Sequence, residues 1–115
     1  SGMDLTGTIL TGADLTNATL TGVDLSGKDL TGTILTGSDL SNANLIDANL
    51  TDASLQNTDL RYTLLVDANL SNAVLTGADL SNAVLTGAIL TGADLENAVL
   101  TNVILNCVGH PICVM

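Results

Sequence analysis

Chemistry, if this chain performs any, has few residues to draw on. Cys107, His110 and Cys113 form a Cys-x2-His-x2-Cys run near the C-terminus, and two thiolates with one imidazole are ligand types that hold zinc. No obvious fourth ligand stands beside them, so the metal reading is the weaker alternative. The two cysteines could also pair as a disulfide in an exported protein or stay as buried thiols in a reducing compartment. Asp94 and Glu96 lie two residues apart, but nothing sets them in a pocket, and they read as solvated surface. His110 is the only histidine, and there is no Ser/His/Asp spacing and no phosphate-binding loop. The sequence therefore predicts no enzyme, no catalytic residues and no cofactor.

The elements that position these residues are legible from a period. Leucine occupies every fifth position from Leu5 to Leu105 without a break, twenty-one in succession. Two residues before most of them sits a small residue, usually alanine, as at Ala43, Ala48, Ala53 and Ala68. Thr or Ser usually follows the leucine, and then Gly, Asn or Asp. On an α-helix five residues advance roughly 500°, so the leucines would spiral around the rod and form no face. On a flat strand an odd period would throw alternate leucines onto opposite sides. A chain that turns a corner every five residues satisfies the pattern. Each leucine then points inward with the small residue before it, and Gly, Asn and Asp fall where corners need permissive backbone angles. Composition agrees, because 46% of residues are apolar while Tyr62 is the only aromatic. Such a chain must fill a narrow interior with aliphatic side chains rather than rings.

From about Met3 to Leu105 the repeats resemble the pentapeptide-repeat family, whose motif is Ala-(Asp/Asn)-Leu-X-X. The resemblance implies an all-β fold: a right-handed quadrilateral parallel β-helix, a solenoid of about five coils with about twenty residues per coil. Leu5 would then stack under Leu25, Leu45, Leu65, Leu85 and Leu105. Two segments are expected, the β-helix over 1–105 and a C-terminal cap over 106–115. The pattern stops after Leu105, His110 stands where a leucine is due, and Pro111 is suited to ending a ladder.

In this arrangement residues twenty apart share a column, so function should appear as a column that departs from the consensus. Preceding the leucines of one face run Asp4, Asp24, Asn44, Leu64, Val84 and Ile104, changing from acidic to apolar. Ile46 and Val66 stand just after leucines of the same face, where Thr or Ser is usual. Together Ile46, Leu64, Val66, Val84 and Ile104 predict an exposed apolar strip, with Tyr62 on the corner beside it and Arg61 adjacent. Tyr and Arg are side chains that interface hot spots favour, and contiguous exposed apolar area marks contact sites. Asp39, Asp59 and Asp79 stack in another column, where Arg61 should relieve their repulsion. Lys28 takes a slot for a small inward residue, which predicts a local bulge or a side chain escaping at the corner. Tyr62 takes a Gly/Asn/Asp slot, which predicts a different turn type there.

Twelve acids oppose Lys28 and Arg61, for a net charge of −10. That balance argues against nucleic-acid or anionic-membrane partners. No apolar run is long enough to span a membrane. The start, Ser1-Gly2-Met3, shows no signal peptide, so the cytoplasm is expected, or the periplasm or thylakoid lumen if a signal has been removed. The expected function is a non-enzymatic structural or protein-interaction module. Its partner would be an unknown protein or a second copy, docked through the strip or the C-terminal end. The alternative, implied by acidic members of the family, is a DNA mimic that binds DNA gyrase. Scattered acids and the absence of an inserted loop count against it. Thr11, Thr31, Thr51, Ser71 and Thr91 form a hydroxyl column, but it lacks the paired column an ice-binding face needs.

Overall fold

A computed structural model describes residues 9–114, so Asp4 and Leu5 of the expected columns, like Met115, lie outside the described residues. After each leucine the chain makes a two-residue turn. The amide three residues on donates to the leucine carbonyl, as from Ala13 to Leu10 and from Ala43 to Leu40, both at 3.0 Å. The second turn residue has positive φ, 59° at Asn17 and 61° at Asp47, as a type II turn requires. L-residues other than Asn and Asp resist that region, which is why the sequence restricts this slot to Gly, Asn and Asp at nearly every turn.

Between turns, single residues pair in parallel with residues twenty positions on. Asp24 pairs with Asn44, Asn44 with Leu64, Leu64 with Val84, and Val84 with Ile104. Three backbone bonds tie each repeat to the one above it. The Leu45 amide donates to the Leu64 carbonyl at 2.7 Å, the Leu64 amide to Ala43 at 3.1 Å, and the Asp47 amide to Val66 at 2.9 Å. Four turns intervene between paired residues, so the chain climbs as a parallel β-helix measuring 36 × 23 × 21 Å.

The leucines from Leu25 to Leu90 are buried, together with most of the small residues two positions before them. Each fully buried leucine contributes roughly 1.5–3 kcal/mol before entropy is counted, and the stacked columns make this the main stabilising term. Leu15, Leu95, Leu100 and Leu105 are only half-buried, toward the two ends. Where Thr replaces the small inward residue, its hydroxyl is satisfied locally. Thr33, Thr58 and Thr63 donate to the carbonyls of Leu30, Leu55 and Leu60 at 2.7–2.8 Å. Ser38 is equally buried, yet its hydroxyl has no hydrogen-bond partner.

The expected bulge at Lys28 and the expected change of turn type at Tyr62 do not form, and the C-terminal end departs from the repeat in another way. No bulge forms at Lys28. Its amide closes the usual turn onto Leu25 (3.1 Å) and its carbonyl receives Asn49 (2.9 Å), and the residue is half-buried in an unbroken ladder. Tyr62 does not change the turn type. It adopts φ 61° like its Asn and Asp counterparts, because the Tyr62 amide is committed to the Ser81 carbonyl at 3.0 Å. At the C-terminus the register slips: Ile89 pairs with Val108, nineteen residues on, rather than twenty. Gly109, not His110, therefore follows the last bridging residue. Its φ is +90°, and an added Cβ would sit 2.9 Å from the Thr91 amide nitrogen and 3.1 Å from its Cα, so only glycine fits there. A single 3-10 turn, Pro111–Val114, follows. Cys107 and Cys113 are joined as a disulfide, their Cα atoms 4.9 Å apart.

Candidate interaction surface

Where Asp or Asn precedes a leucine, it does work that its sequence position alone did not reveal. Its side-chain oxygen accepts the amide, and usually the hydroxyl, of the residue just after that leucine. Asp24 Oδ1 accepts the Ser26 amide at 3.0 Å and its hydroxyl at 2.7 Å, and Asn49 Oδ1 holds Thr51 in the same way. This clasp accounts for the Asp/Asn-Leu-Thr/Ser order in the repeat, since each residue supplies one half of a local bond. It also accounts for Asp94 and Glu96, where the Asp94 carboxylate accepts the Glu96 amide at 3.0 Å. Hydrogen bonds from the neighbouring hydroxyl and amide hold the Asp14, Asp29 and Asp39 carboxyls below the ordinary carboxylate range, because they favour the charged form.

Against that background the expected strip stands out. Asn44 Oδ1 accepts the Ile46 amide at 3.0 Å. Directly above it come Leu64, Val84 and Ile104, whose side chains can accept nothing. The neighbouring column places Val66 above Ile46, through the Asp47 amide donating to the Val66 carbonyl. Leu64 is 39% exposed and Ile104 51%, and Ile46, Val66 and Val84 are less so. The structure thus brings all five expected apolar residues onto one surface. Tyr62 borders it at the corner, 57% exposed.

Arg61 lies around that corner and is already engaged. Its Nε donates to Asp59 Oδ1 at 2.8 Å and its Nη2 to Asp59 Oδ2 at 2.7 Å, a bidentate pair. The guanidinium also senses Asp79 and Asp39, and the hydrogen bond to Asp59, followed by these charges, pushes its pKa upward. The Arg61 side-chain hydrogen bond likewise holds the Asp59 carboxyl below its usual range. Asp39, Asp59 and Asp79 are stacked through successive parallel bridges, so the arginine offsets the repulsion in that column, as the sequence suggested.

Elsewhere the described residues offer little chemistry. The disulfide takes up both cysteine sulfurs, and His110 Nδ1 accepts the Ile112 amide at 3.2 Å. No group of three His, Cys, Asp or Glu among the described residues is placed to hold a metal ion. No helix among them is long and apolar enough to cross a membrane.

Comparison with known proteins extends these observations. The family pattern described as pentapeptide repeats matches in eight copies, over residues 1–37, 29–61 and 63–102. The crystal structure of Rfr23, a pentapeptide repeat protein from the cyanobacterium Cyanothece 51142, is similar with a TM-score of 0.59 and 42% identity. That match covers 84% of this chain and 64% of Rfr23, so the chain spans less than two thirds of that relative. QnrB1, a plasmid-mediated fluoroquinolone resistance protein, is similar at TM-score 0.53 and 20% identity over 91% of this chain and 68% of its own. At that identity the likeness concerns the fold alone. No curated protein sequence matches the chain.

Proposed function

Because the chain belongs to the pentapeptide-repeat family, whose members are generally non-enzymatic structural modules, we propose that it is a protein-interaction module. Its working surface is the strip of Ile46, Leu64, Val66, Val84 and Ile104, with Tyr62 and the Asp59-anchored Arg61 at one edge. The scaffold is a right-handed, four-sided β-helix of about five coils, closed by a C-terminal cap that begins after Leu105. The partner is another protein or a second copy of this chain.

One observation carries this reading. From Leu64 upward the column gives up a side-chain-to-backbone clasp that Asn44 still makes. A hydrogen bond of that kind contributes about 0.5–1.5 kcal/mol, so stability alone does not favour apolar residues at three successive rungs. Contact with a partner does, because exposed apolar area gains by being covered. The disulfide favours an oxidising compartment, and with it the periplasm or thylakoid lumen over the cytoplasm.

Val84→Asn tests the surface. Asparagine suits the slot, since Asn44 occupies the same column, so the fold is expected to persist. Solution mass by light scattering and retention of partners on immobilised protein are compared with wild type. Loss of both self-association and capture supports the strip, whereas a variant that behaves like wild type removes it. For the gyrase-binding alternative the stacked aspartates are the relevant feature, but Arg61 neutralises the middle of that stack. Normal supercoiling with excess protein present would dispose of that reading.

A further inference from the structure

The C-terminal segment is attached differently from the regular repeats below it. A regular repeat joins its neighbour through three ladder bonds, as Leu45, Leu64 and Asp47 do. Past the register slip, Val108 makes two: its amide donates to Ala88 at 2.9 Å and its carbonyl receives the Leu90 amide at 2.7 Å. Gly109, with φ +90° and Thr91 pressed against it, turns the chain out of the ladder at once. Beyond Gly109 the hydrogen bonds of the described residues are local, from the Cys113 amide to His110 and from the Ile112 amide to the His110 ring. Cys107, Ile112 and Cys113 pack on the rim of the core, all half-buried. The disulfide closes a loop of sequence separation six around this one rung. It crosses no repeat and bridges no leucine column, so the body of the β-helix does not depend on it.

We propose that the Cys107–Cys113 disulfide is a redox latch that sets whether Val108 is presented at the surface, stacked on Ile89. With the latch closed, Val108 (58% exposed) extends the column of Ile89 (38% exposed) by one rung. With it open, two ladder bonds must hold a segment whose next residue leaves the ladder, and the rung detaches. The opening agent is a dithiol reductant. Its thiolate attacks one sulfur and forms a mixed disulfide, while the other cysteine leaves as a thiolate and takes up a proton. The reductant's second thiolate then displaces the first cysteine, which is protonated in turn. Two electrons and two protons pass to Cys107 and Cys113, and the reductant departs as its own disulfide. Val108, Gly109 and Pro111 are exposed around the bond, which gives such a reagent access.

Amide hydrogen exchange on the whole chain, with and without dithiothreitol, tests the latch, with thiols counted by alkylation and mass spectrometry. Reduction is expected to speed exchange at the Leu90 and Val108 amides by about tenfold or more, as local opening predicts. The Leu70 amide, which makes the equivalent bond to Ile89 one rung lower at 2.7 Å, should be unaffected. The Cys107→Ser/Cys113→Ser double variant should exchange like the reduced protein, and reoxidation of wild type should restore protection. Unchanged protection at Leu90 and Val108 with both thiols free would overturn the proposal. So would a bond that resists the dithiol while the protein stays folded.

Discussion

Leu64 sits one rung above Asn44 in the same parallel ladder, its amide bonded to Ala43 and its carbonyl to Leu45. The two residues have the same backbone pairing and opposite surface chemistry. Asn44 clasps the Ile46 amide, while Leu64 presents an isobutyl group to solvent.

Leu64→Asn should therefore rebuild the clasp, with the introduced side-chain oxygen accepting the Val66 amide, and stabilise the protein by about 0.5–1.5 kcal/mol. The same change should weaken association through the strip. Urea unfolding and solution mass, measured on one preparation, check both effects. A variant that is more stable yet associates normally would separate the clasp from the surface and count against the surface.

Tyr62 is the only non-glycine residue with positive φ among the described residues that is neither Asn nor Asp. A bulky side chain in that region is strained by an amount on the order of 1 kcal/mol. Tyr62→Asn matches Asn42 and Asn82, its counterparts below and above, and should raise the midpoint of thermal unfolding. No gain would mean that the ring makes compensating contacts with its neighbours.

The buried, unpartnered Ser38 hydroxyl makes another position improvable. Ser38→Ala removes a desolvated polar group from a column whose other small inward residues include Ala18, Ala78 and Ala98. The expected effect is stabilisation of roughly 1 kcal/mol, read from chemical denaturation. Leu60→Ala, in the same interior, should do the reverse and cost about 2–5 kcal/mol through the cavity it leaves.

Acid should weaken the fold in a defined window. The carboxyls of Asp14, Asp29, Asp39 and Asp59 all lie below the ordinary value of 3.8 in the folded protein. A depressed folded-state pKa contributes stability that is fully present above the unfolded value and lost as pH falls through the folded one. Stability linked to these groups should thus hold above about pH 4 and decline below it as the carboxyls take up protons. Arg61→Gln removes the first cause of the shift at Asp59, so its titration, followed by carboxyl carbon NMR, should move up. An Asp59 titration identical in the two proteins would contradict the bidentate pairing.

Most of the fold was legible because one physical requirement, an inward leucine at each side of a turning chain, repeats often enough to impose a period. The apolar strip followed from the same arithmetic, since columns twenty residues apart could be read directly. What the residue order left hidden were matters of local bonding. The clasp from Asp or Asn to the residue after the leucine was visible as a preference for Thr and Ser, but preference alone does not name the bond. Lys28 and Tyr62 looked like sites of irregularity because their side chains fit their slots poorly. The ladder bonds through their own amides and carbonyls outweigh that misfit and keep the backbone regular. The slip at Val108 could not be counted from spacing, because it depends on Gly109 fitting against Thr91. The sequence made metal the weaker reading for Cys107 and Cys113 but left disulfide and free thiols open, and only their closeness in space decides.

The nineteen-residue step at Ile89–Val108 also bears on how such a chain can lengthen. Leucines continued beyond Val108 on the old five-residue count would fall one position out of phase with those beneath them. In extended chain a shift of one residue exchanges the inward and outward positions, so added leucines would face solvent and added threonines the interior. Growth by duplicating five-residue units is therefore open anywhere within the regular ladder, whereas past the slip it requires a unit offset by one residue. A single missing residue thus resets the reading frame of the repeat.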